Sequence, residues 1–379
     1  MAKVVKNPFR FGGPVEGDYY FPRPELARTV AQFLDNNIHT VLIEPRRFGK
    51  TSFALNLLRE QEQASKTGLF VDIFNITSHR DFLQQLLRAL RVQKSWAHRL
   101  KDLVDIIPRL RPRLAMETDS LTGVTTFSLS TEISADKDVK ETIQDVLAGL
   151  KSLGPRVIVV IDEFQKIAEL EDGRWLEATL RTQMQQLNNT AFLFTGSRKS
   201  IIHDMLGNPA RPFYRSCQLI DFPSLGGDFT NWIVSRFDSV GISCNPLAIE
   251  ALRQRVQDTP NYVQMACFHL VARGVERVDN EEIDDVLRMI VRQNSYAYQT
   301  LLNSLSPIQQ RALRLAAIEI SQVYSKDILA RYEIPSGPAL ASSFKALKGK
   351  QILDEGTARG RVLFDDPLFA IWLKTEFRD

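Results

Sequence analysis

Thr40-Val41-Leu42-Ile43-Glu44-Pro45-Arg46-Arg47-Phe48-Gly49-Lys50-Thr51-Ser52 holds two periodicities joined by a turn. Thr40 to Ile43 is a run of β-branched and aliphatic residues, which reads as a short buried strand. From Gly49 the apolar residues Phe53, Ala54, Leu55, Leu57 and Leu58 follow helical spacing. The order is strand, glycine-containing loop, helix.

Residues 44–51 match the pattern G-x-x-x-x-G-K-[ST] at every position but the first, where Glu44 stands for glycine. In such a loop the backbone N–H groups and the helix N-terminus cradle phosphate oxygens, a reading that covers Pro45 to Ser52. Lys50 would reach the β and γ phosphates, and Thr51 would bind magnesium. Glycine in first place permits the tight turn, so Glu44 is expected either to take a different backbone conformation or to hold strain.

A second signature complements the first. Val157-Ile158-Val159-Val160-Ile161 is an apolar strand ending in Asp162-Glu163. Asp162 would hold magnesium through water, and Glu163 would polarise the attacking water as general base. A further strand ends in Thr195-Gly196-Ser197, which either puts Thr195 or Ser197 near the γ-phosphate as a polar sensor or forms a plain strand-ending turn. Arg211 and Arg215 lie in a segment with Pro209, Pro212 and Tyr214 that suits a rigid surface loop. There an arginine reaches a neighbouring subunit's nucleotide or makes a surface salt bridge.

Outward from these motifs, Leu69–Ile76 reads as a strand, Asp81–Leu90 as a helix, Arg156–Ile161 and Ala191–Thr195 as strands. Alternating strands and helices predict a parallel sheet covered on both faces. Leu110 to Ser134 alternates around a turn at Asp119 to Gly123 and reads as an inserted β-hairpin. Upstream, Arg88, Arg91, Lys94, His98, Arg99, Lys101, Arg109, Arg111 and Arg113 form a basic patch that is either a solvated helix face or a nucleic-acid contact. After Pro223 the pattern is helical to about Asn294, broken at Asp258 to Asn261, as in a small helical lid. Three helical segments, a break at Gly349 and strands at Gln351–Asp354 and Arg361–Phe364 then give the order of a winged helix.

At 379 residues two or three domains are expected, and 44% hydrophobic with 25% charged residues suffices for a sizeable core. A net charge of +3 carries no global nucleic-acid signal, so any DNA contact must be local. The apolar run at Val157–Ile161 is far shorter than a membrane helix needs. Met1 to Arg10 has no apolar leader core, and Cys217, Cys244 and Cys267 have no metal or redox spacing. A cytoplasmic protein without membrane association is the expectation.

Taken together and in order, these residues resemble the archaeal-type ATPase family of the AAA+ and STAND P-loop NTPases. The resemblance also rests on Asn7-Pro8-Phe9 and Gly17-Asp18-Tyr19-Tyr20-Phe21-Pro22-Arg23, and it spans nearly the whole chain. It implies an α/β fold with a P-loop parallel sheet domain (1–225), a helical lid (226–298) and a C-terminal winged helix (299–379). It also implies ATP and magnesium as cofactors, hydrolysis of ATP, Phe21 and Arg23 near the adenine, and Arg215 at a contact within a homo-oligomer. Thr259-Pro260-Asn261-Tyr262-Val263-Gln264 looks like the lid segment whose Gly-x-Pro signature lies near the base, with Asp258 in place of the glycine. Asp366-Pro367-Leu368-Phe369-Ala370-Ile371-Trp372-Leu373 is similar to the segment that closes the winged helix, where its apolar residues pack. Lys345, Lys348, Lys350, Arg359 and Arg361 are where a DNA-binding version would be basic, while Asp354, Glu355 and Asp365 dilute the charge and a protein partner stays open. The alternative to an ATPase switch is a nucleotide-gated scaffold, or a DNA-binding assembly factor, with little turnover.

Overall fold

The computed structural model describes residues 6–44, 47–91, 114–118, 125–129, 136–223, 225–318, 322–355 and 362–377. Pro45, Arg46, the basic patch from Lys94 to Arg113, the Asp119 to Gly123 turn, Arg359 and Arg361 lie outside them. The chain divides into two compact units, one of residues 22–45 and 49–223, the other of residues 1–21, 46–48 and 224–379.

The first unit is built on a five-stranded sheet. In chain order its strands are β1 (Thr40–Ile43), β2 (Thr67–Asp72), β5 (Val157–Asp162), β6 (Thr190–Gly196) and β7 (Gln218–Asp221). They run in the order β2-β5-β6-β1-β7, all parallel. Between β2 and β5 in sequence, β3 (Leu114–Thr118) and β4 (Thr125–Leu129) pair antiparallel, the hairpin foreseen there.

Side chains alternate across the central strands, and both faces are apolar. Leu42, Ile158, Val160, Ala191 and Leu193 face Leu26, Val30 and Leu34 of α1 (Pro24–Asp35) and Phe53, Ala54, Leu57 and Leu58 of α2 (Lys50–Gln63). Val41, Ile43, Val157, Val159, Ile161, Phe192 and Phe194 face α3 (His79–Arg91), α4 (Asp136–Gly149) and α5 (Gly173–Gln186). Strand β2 ends at Asp72, whereas the sequence extends it to Ile76. The cause is local: Asp72 Oδ1 accepts the Phe74 N–H at 2.9 Å and starts a turn, and buried Ile73 and Ile76 mimic a continued strand. The edge strand β7, half exposed, is absent from the sequence reading.

The second unit is mainly helical. Helices α7 (Gly227–Asp238), α8 (Pro246–Arg255), α9 (Pro260–Ala272) and α10 (Asn280–Gln293) carry most of its first half. The break foreseen at Asp258 is a left-handed turn, with φ of 54° at Gln257 and 53° at Asp258, and Pro260 then opens α9. A glycine would adopt that conformation freely, whereas Asp258 is held there by Arg253 Nε at 2.7 Å. The N-terminal segment packs into this unit: Asn7 Nδ2 donates to Phe268 O at 2.9 Å, and Phe9 is buried 4.7 Å from Phe237.

Further along come α11 (Ser295–Asn303), α12 (Pro307–Ile318), α13 (Lys326–Arg331), α14 (Gly337–Gly349), the antiparallel strands β8 (Leu353–Glu355) and β9 (Val362–Phe364), and α15 (Pro367–Glu376). This is the element order of a winged helix. Asp366 caps α15 by accepting the Leu368 N–H, and Leu368, Phe369, Trp372 and Leu373 are buried. Among the described residues no helix is long and apolar enough to cross a membrane. All three cysteines are free thiols.

Candidate functional site

Parallel strands end on the same side, and β6 lies between β1 and β5 in the sheet. The carboxyl ends of these three neighbours therefore meet along one edge, where open α/β sheets hold their ligands. Glu44 follows β1, Asp162 closes β5 with Glu163 after it, and Gly196 closes β6 with Ser197 after it.

Helix α2 begins at Lys50, so the loop N–H groups and the positive end of the helix dipole address the space before it. Gly49 has φ of 92°, and a Cβ built on it would meet nothing within 4 Å, leaving the loop open. Lys50 is buried, with Nζ donating to Glu44 O at 2.5 Å. Burial brings its ammonium down to about 8, against the opposing charges of Glu163, Asp162 and Glu44.

Thr51 Oγ1 donates to Asp162 Oδ2 at 2.7 Å, and Thr195 Oγ1 donates to Asp162 Oδ1. Burial pushes the Asp162 carboxyl up, and the two hydroxyl donors work against that shift. A hydroxyl and a carboxylate side by side form a hard oxygen donor pair that fits magnesium. Magnesium ordinarily takes one or two carboxylates together with substrate phosphates. Among the described residues no cluster of three or more His, Cys, Asp and Glu could hold a metal.

Glu163 sits at φ of 61°, a left-handed conformation that costs a non-glycine residue about 1–2 kcal/mol. Its Oε2 accepts the Ser197 hydroxyl at 2.8 Å. The structure thus brings together Lys50, Thr51, Asp162, Glu163 and Ser197, with Thr195 bound to the aspartate rather than standing free.

The remaining sequence candidates are spread more widely. Ser52 is buried and Phe48 half-buried. Arg47, at φ of 66°, belongs to the helical unit, where it donates to the Tyr262 hydroxyl and lies 4.9 Å from that ring. Phe21 packs in the same unit against Phe229 and Trp232, and Pro260 opens α9 there. Arg23, in the sheet unit, stacks 4.2 Å over Phe222 and donates to Pro223 O.

Arg211 is not available to a ligand: it is paired with the fully buried Glu177 and lies 3.7 Å from Asp204. Arg215 is exposed, at φ of 52°, 5.1 Å over Tyr214. The sequence reading missed two contributors. Lys199, opening α6 (Lys199–Gly207), stands 3.4 Å from the Glu44 carboxylate, and Gln165 reaches both Glu163 and Ser197. Each contact joins residues more than thirty positions apart, except the local one between Gln165 and Glu163, for which no periodic pattern exists.

A strand–loop–helix phosphate cradle beside an Asp-Glu strand end defines a P-loop nucleotide-binding domain. Residues 35–205 match the family model described as an AAA domain, in keeping with the AAA+ P-loop resemblance. The whole chain is similar in fold to the Walker-type ATPase PABY2304 of Pyrococcus abyssi, with a TM-score of 0.66 at 18% identity over 98% of this chain and 99% of that one. It is also similar to the Aeropyrum pernix ORC1 protein, solved in complex with DNA, with a TM-score of 0.52 at 15% identity over 95% of this chain and 94% of that one. The Aeropyrum pernix ORC2 protein gives a TM-score of 0.52 at 15% identity over 92% of this chain and 90% of that one. No curated protein matches the sequence.

Proposed function

We propose that the chain binds ATP with magnesium at this strand edge, hydrolyses it, and acts as a switch or remodeller that couples nucleotide state to its winged helix. The observation that carries the reading is the meeting of Lys50, Thr51, Asp162, Glu163 and Ser197, residues drawn from three separate strand ends.

In this reading Lys50 and the backbone N–H groups of residues 46–52, in the loop that Pro45 opens, bind the phosphates. Thr51 and Asp162 would hold magnesium, which when bound would supply positive charge to neutralise the phosphates. Glu163 orients and deprotonates the attacking water, and Ser197 fixes the carboxylate that does so. Phe21, Arg23 and Pro260 bound the base.

Arg215 completes the site of a neighbouring copy in an oligomer. Its loop is anchored for that role, because Phe213 is fully buried, Arg181 Nη1 donates to Pro212 O at 2.6 Å, and Arg211 is fixed on Glu177. Residues 1–225 would be the ATPase domain with its inserted hairpin, its first 21 residues belonging by packing to the helical unit, 226–298 the lid, and 299–379 the winged helix, all in the cytoplasm.

A Glu163→Gln variant should keep ATP affinity and lose turnover by about 10²-fold or more. Wild-type turnover in that variant would remove Glu163 from the chemistry, and absence of turnover in the wild type despite tight binding would favour the nucleotide-gated scaffold. A DNA contact through the winged helix is favoured by one observation, that Lys345 and Lys350 on and after α14 are exposed. Binding to duplex DNA that weakens steeply between about 50 and 200 mM salt would support it, and binding insensitive to salt would count against it.

A further inference from the structure

Gln165 is 1% exposed and sits in the short 3-10 turn Phe164–Glu169 that leaves β5. Nothing in its sequence context marks it, yet its side-chain amide is used at three points. Nε2 donates to Glu163 Oε2 and, at 3.2 Å, to Ser197 Oγ. Oε1 accepts the Ser197 backbone N–H at 3.3 Å. Ser197 Oγ in turn spends its single proton on Glu163 Oε2 at 2.8 Å.

The donors and acceptors of this ring balance. The amide nitrogen faces both acceptors, while the serine hydroxyl donates once and accepts once. Rotating the amide would set its oxygen against the glutamate carboxylate and its N–H against the Ser197 N–H, so one orientation is fixed. The turn that carries Gln165 is itself pinned: Phe164 is fully buried, 4.3 Å from Phe194 and 4.9 Å from Phe213 by ring centroids. Gly196 makes room for the ring, because a Cβ there would come within 2.6 Å of Gln165 Oε1 and 2.1 Å of Ile202 Cδ1.

We infer that Gln165 is a positioning residue for hydrolysis, tying the carboxylate of Glu163 to the end of β6 so that the base and the sensor serine move as one. It acts through Glu163 and Ser197 and needs no contact with the nucleotide. The inference rests on the hydrolytic reading of the site, and it assigns to the left-handed Glu163 a tether that holds a strained residue in place.

The test compares Gln165→Leu and Gln165→Glu with wild type by steady-state ATP turnover, ATP affinity, and hydrogen exchange of the Ser197 amide in serine-labelled protein. In Gln165→Leu, kcat should fall on the order of 10- to 100-fold, the size expected when a reacting group is misplaced by about 1 Å. ATP affinity should stay within about threefold, since no phosphate or base contact is lost, and the Ser197 amide should exchange on the order of tenfold faster with its acceptor gone. In Gln165→Glu a second carboxylate faces Glu163 and becomes a donor only when protonated. Its kcat should therefore fall at least as far as in Gln165→Leu, with ATP affinity again kept within about threefold.

A Gln165→Leu kcat within about twofold of wild type overturns the inference. Should that variant fail to fold, Gln165→Glu decides: a kcat lowered about tenfold or more with ATP affinity kept upholds the tether, and a kcat within about twofold of wild type overturns it. Absence of turnover in the wild type overturns the hydrolytic reading instead. The ring is then judged by the Ser197 amide alone, faster exchange in Gln165→Leu upholding it and unchanged exchange overturning it.

Discussion

Gly173 opens α5 beside the turn that carries Gln165, and replacing it with alanine reaches the site from behind. A Cβ at this position would lie 2.0 Å from the Ile167 carbonyl oxygen, 3.1 Å from its carbon and 3.6 Å from Ala168 Cα. These are backbone atoms, so no side-chain rotation relieves the overlap. Separating the two to ordinary contact requires the 164–169 turn or the start of α5 to shift by about 1 Å or more, and overpacking of this kind costs about 1–3 kcal/mol. For a unit of about 150–250 residues that corresponds to a fall of about 2–12 °C in the unfolding midpoint. Because the displaced carbonyl belongs to the same turn as Gln165, kcat should fall with it, by about tenfold or more. The matched control is Gly207→Ala, at the end of α6, where an added Cβ meets nothing within 4 Å. That variant should be neutral or more stable by up to about 1 kcal/mol. Thermal and urea unfolding of the two variants, read beside steady-state turnover, make the comparison. A Gly173→Ala protein that unfolds at the control's midpoint and turns over normally would refute the claim that this turn is fixed.

Glu177 is fully buried, and burial holds its carboxyl up to about 7 against the pull of Arg211. From its ordinary value of 4.5 to about 7 the folded protein binds protons that the unfolded chain has released, so stability falls as pH rises through that window. Glu177→Gln should flatten the drop in urea midpoint between about pH 5 and pH 8, and an undiminished drop would exclude Glu177 as its source. For Arg215→Ala, turnover should fall by about 10³-fold or more, and the wild type's activity should climb more steeply than its concentration. Strict proportionality between rate and concentration, with Arg215→Ala unaffected, would show that each chain works alone.

The strands at the site were legible because a central parallel strand buries both faces and so reads as an unbroken apolar run. Thr40–Ile43 falls where its β-branched run places it, and Val157–Asp162 and Thr190–Gly196 are displaced by a residue or so from their expected ends. An edge strand lacks that signal. Gln218–Asp221 is exposed at both ends and half-buried between, so nothing in its composition separates it from the loop before it. The motif residues were legible for the same local reason, since Gly49-Lys50-Thr51 and Asp162-Glu163 are contiguous and their spacing is set by the chemistry. Lys199 and Gln165 were not. A lysine at a helix start and a glutamine after a strand end are ordinary surface residues until the order of the sheet brings β1, β5 and β6 together.

That order also surrounds the acid in first place with partners. Among the described loop residues, the left-handed conformations fall on Arg47 and Gly49, not on Glu44. Glycine at position 49 takes its φ freely. Arg47 bears a strain of about 1–2 kcal/mol, which its contact with the Tyr262 ring offsets by about 0.5–2 kcal/mol. Glu44 has its N–H on Gly196 O at 3.4 Å and its carbonyl on Lys50. Its side chain then has a use a glycine could not supply. Burial raises the carboxyl, Lys199 beside it works against that, and the pair links the end of β1 to the start of the helix that follows β6. The same two strand ends hold Lys50 and Ser197, so the acid at position 44 braces the groups that the phosphate loop and the sensor strand bring to one place.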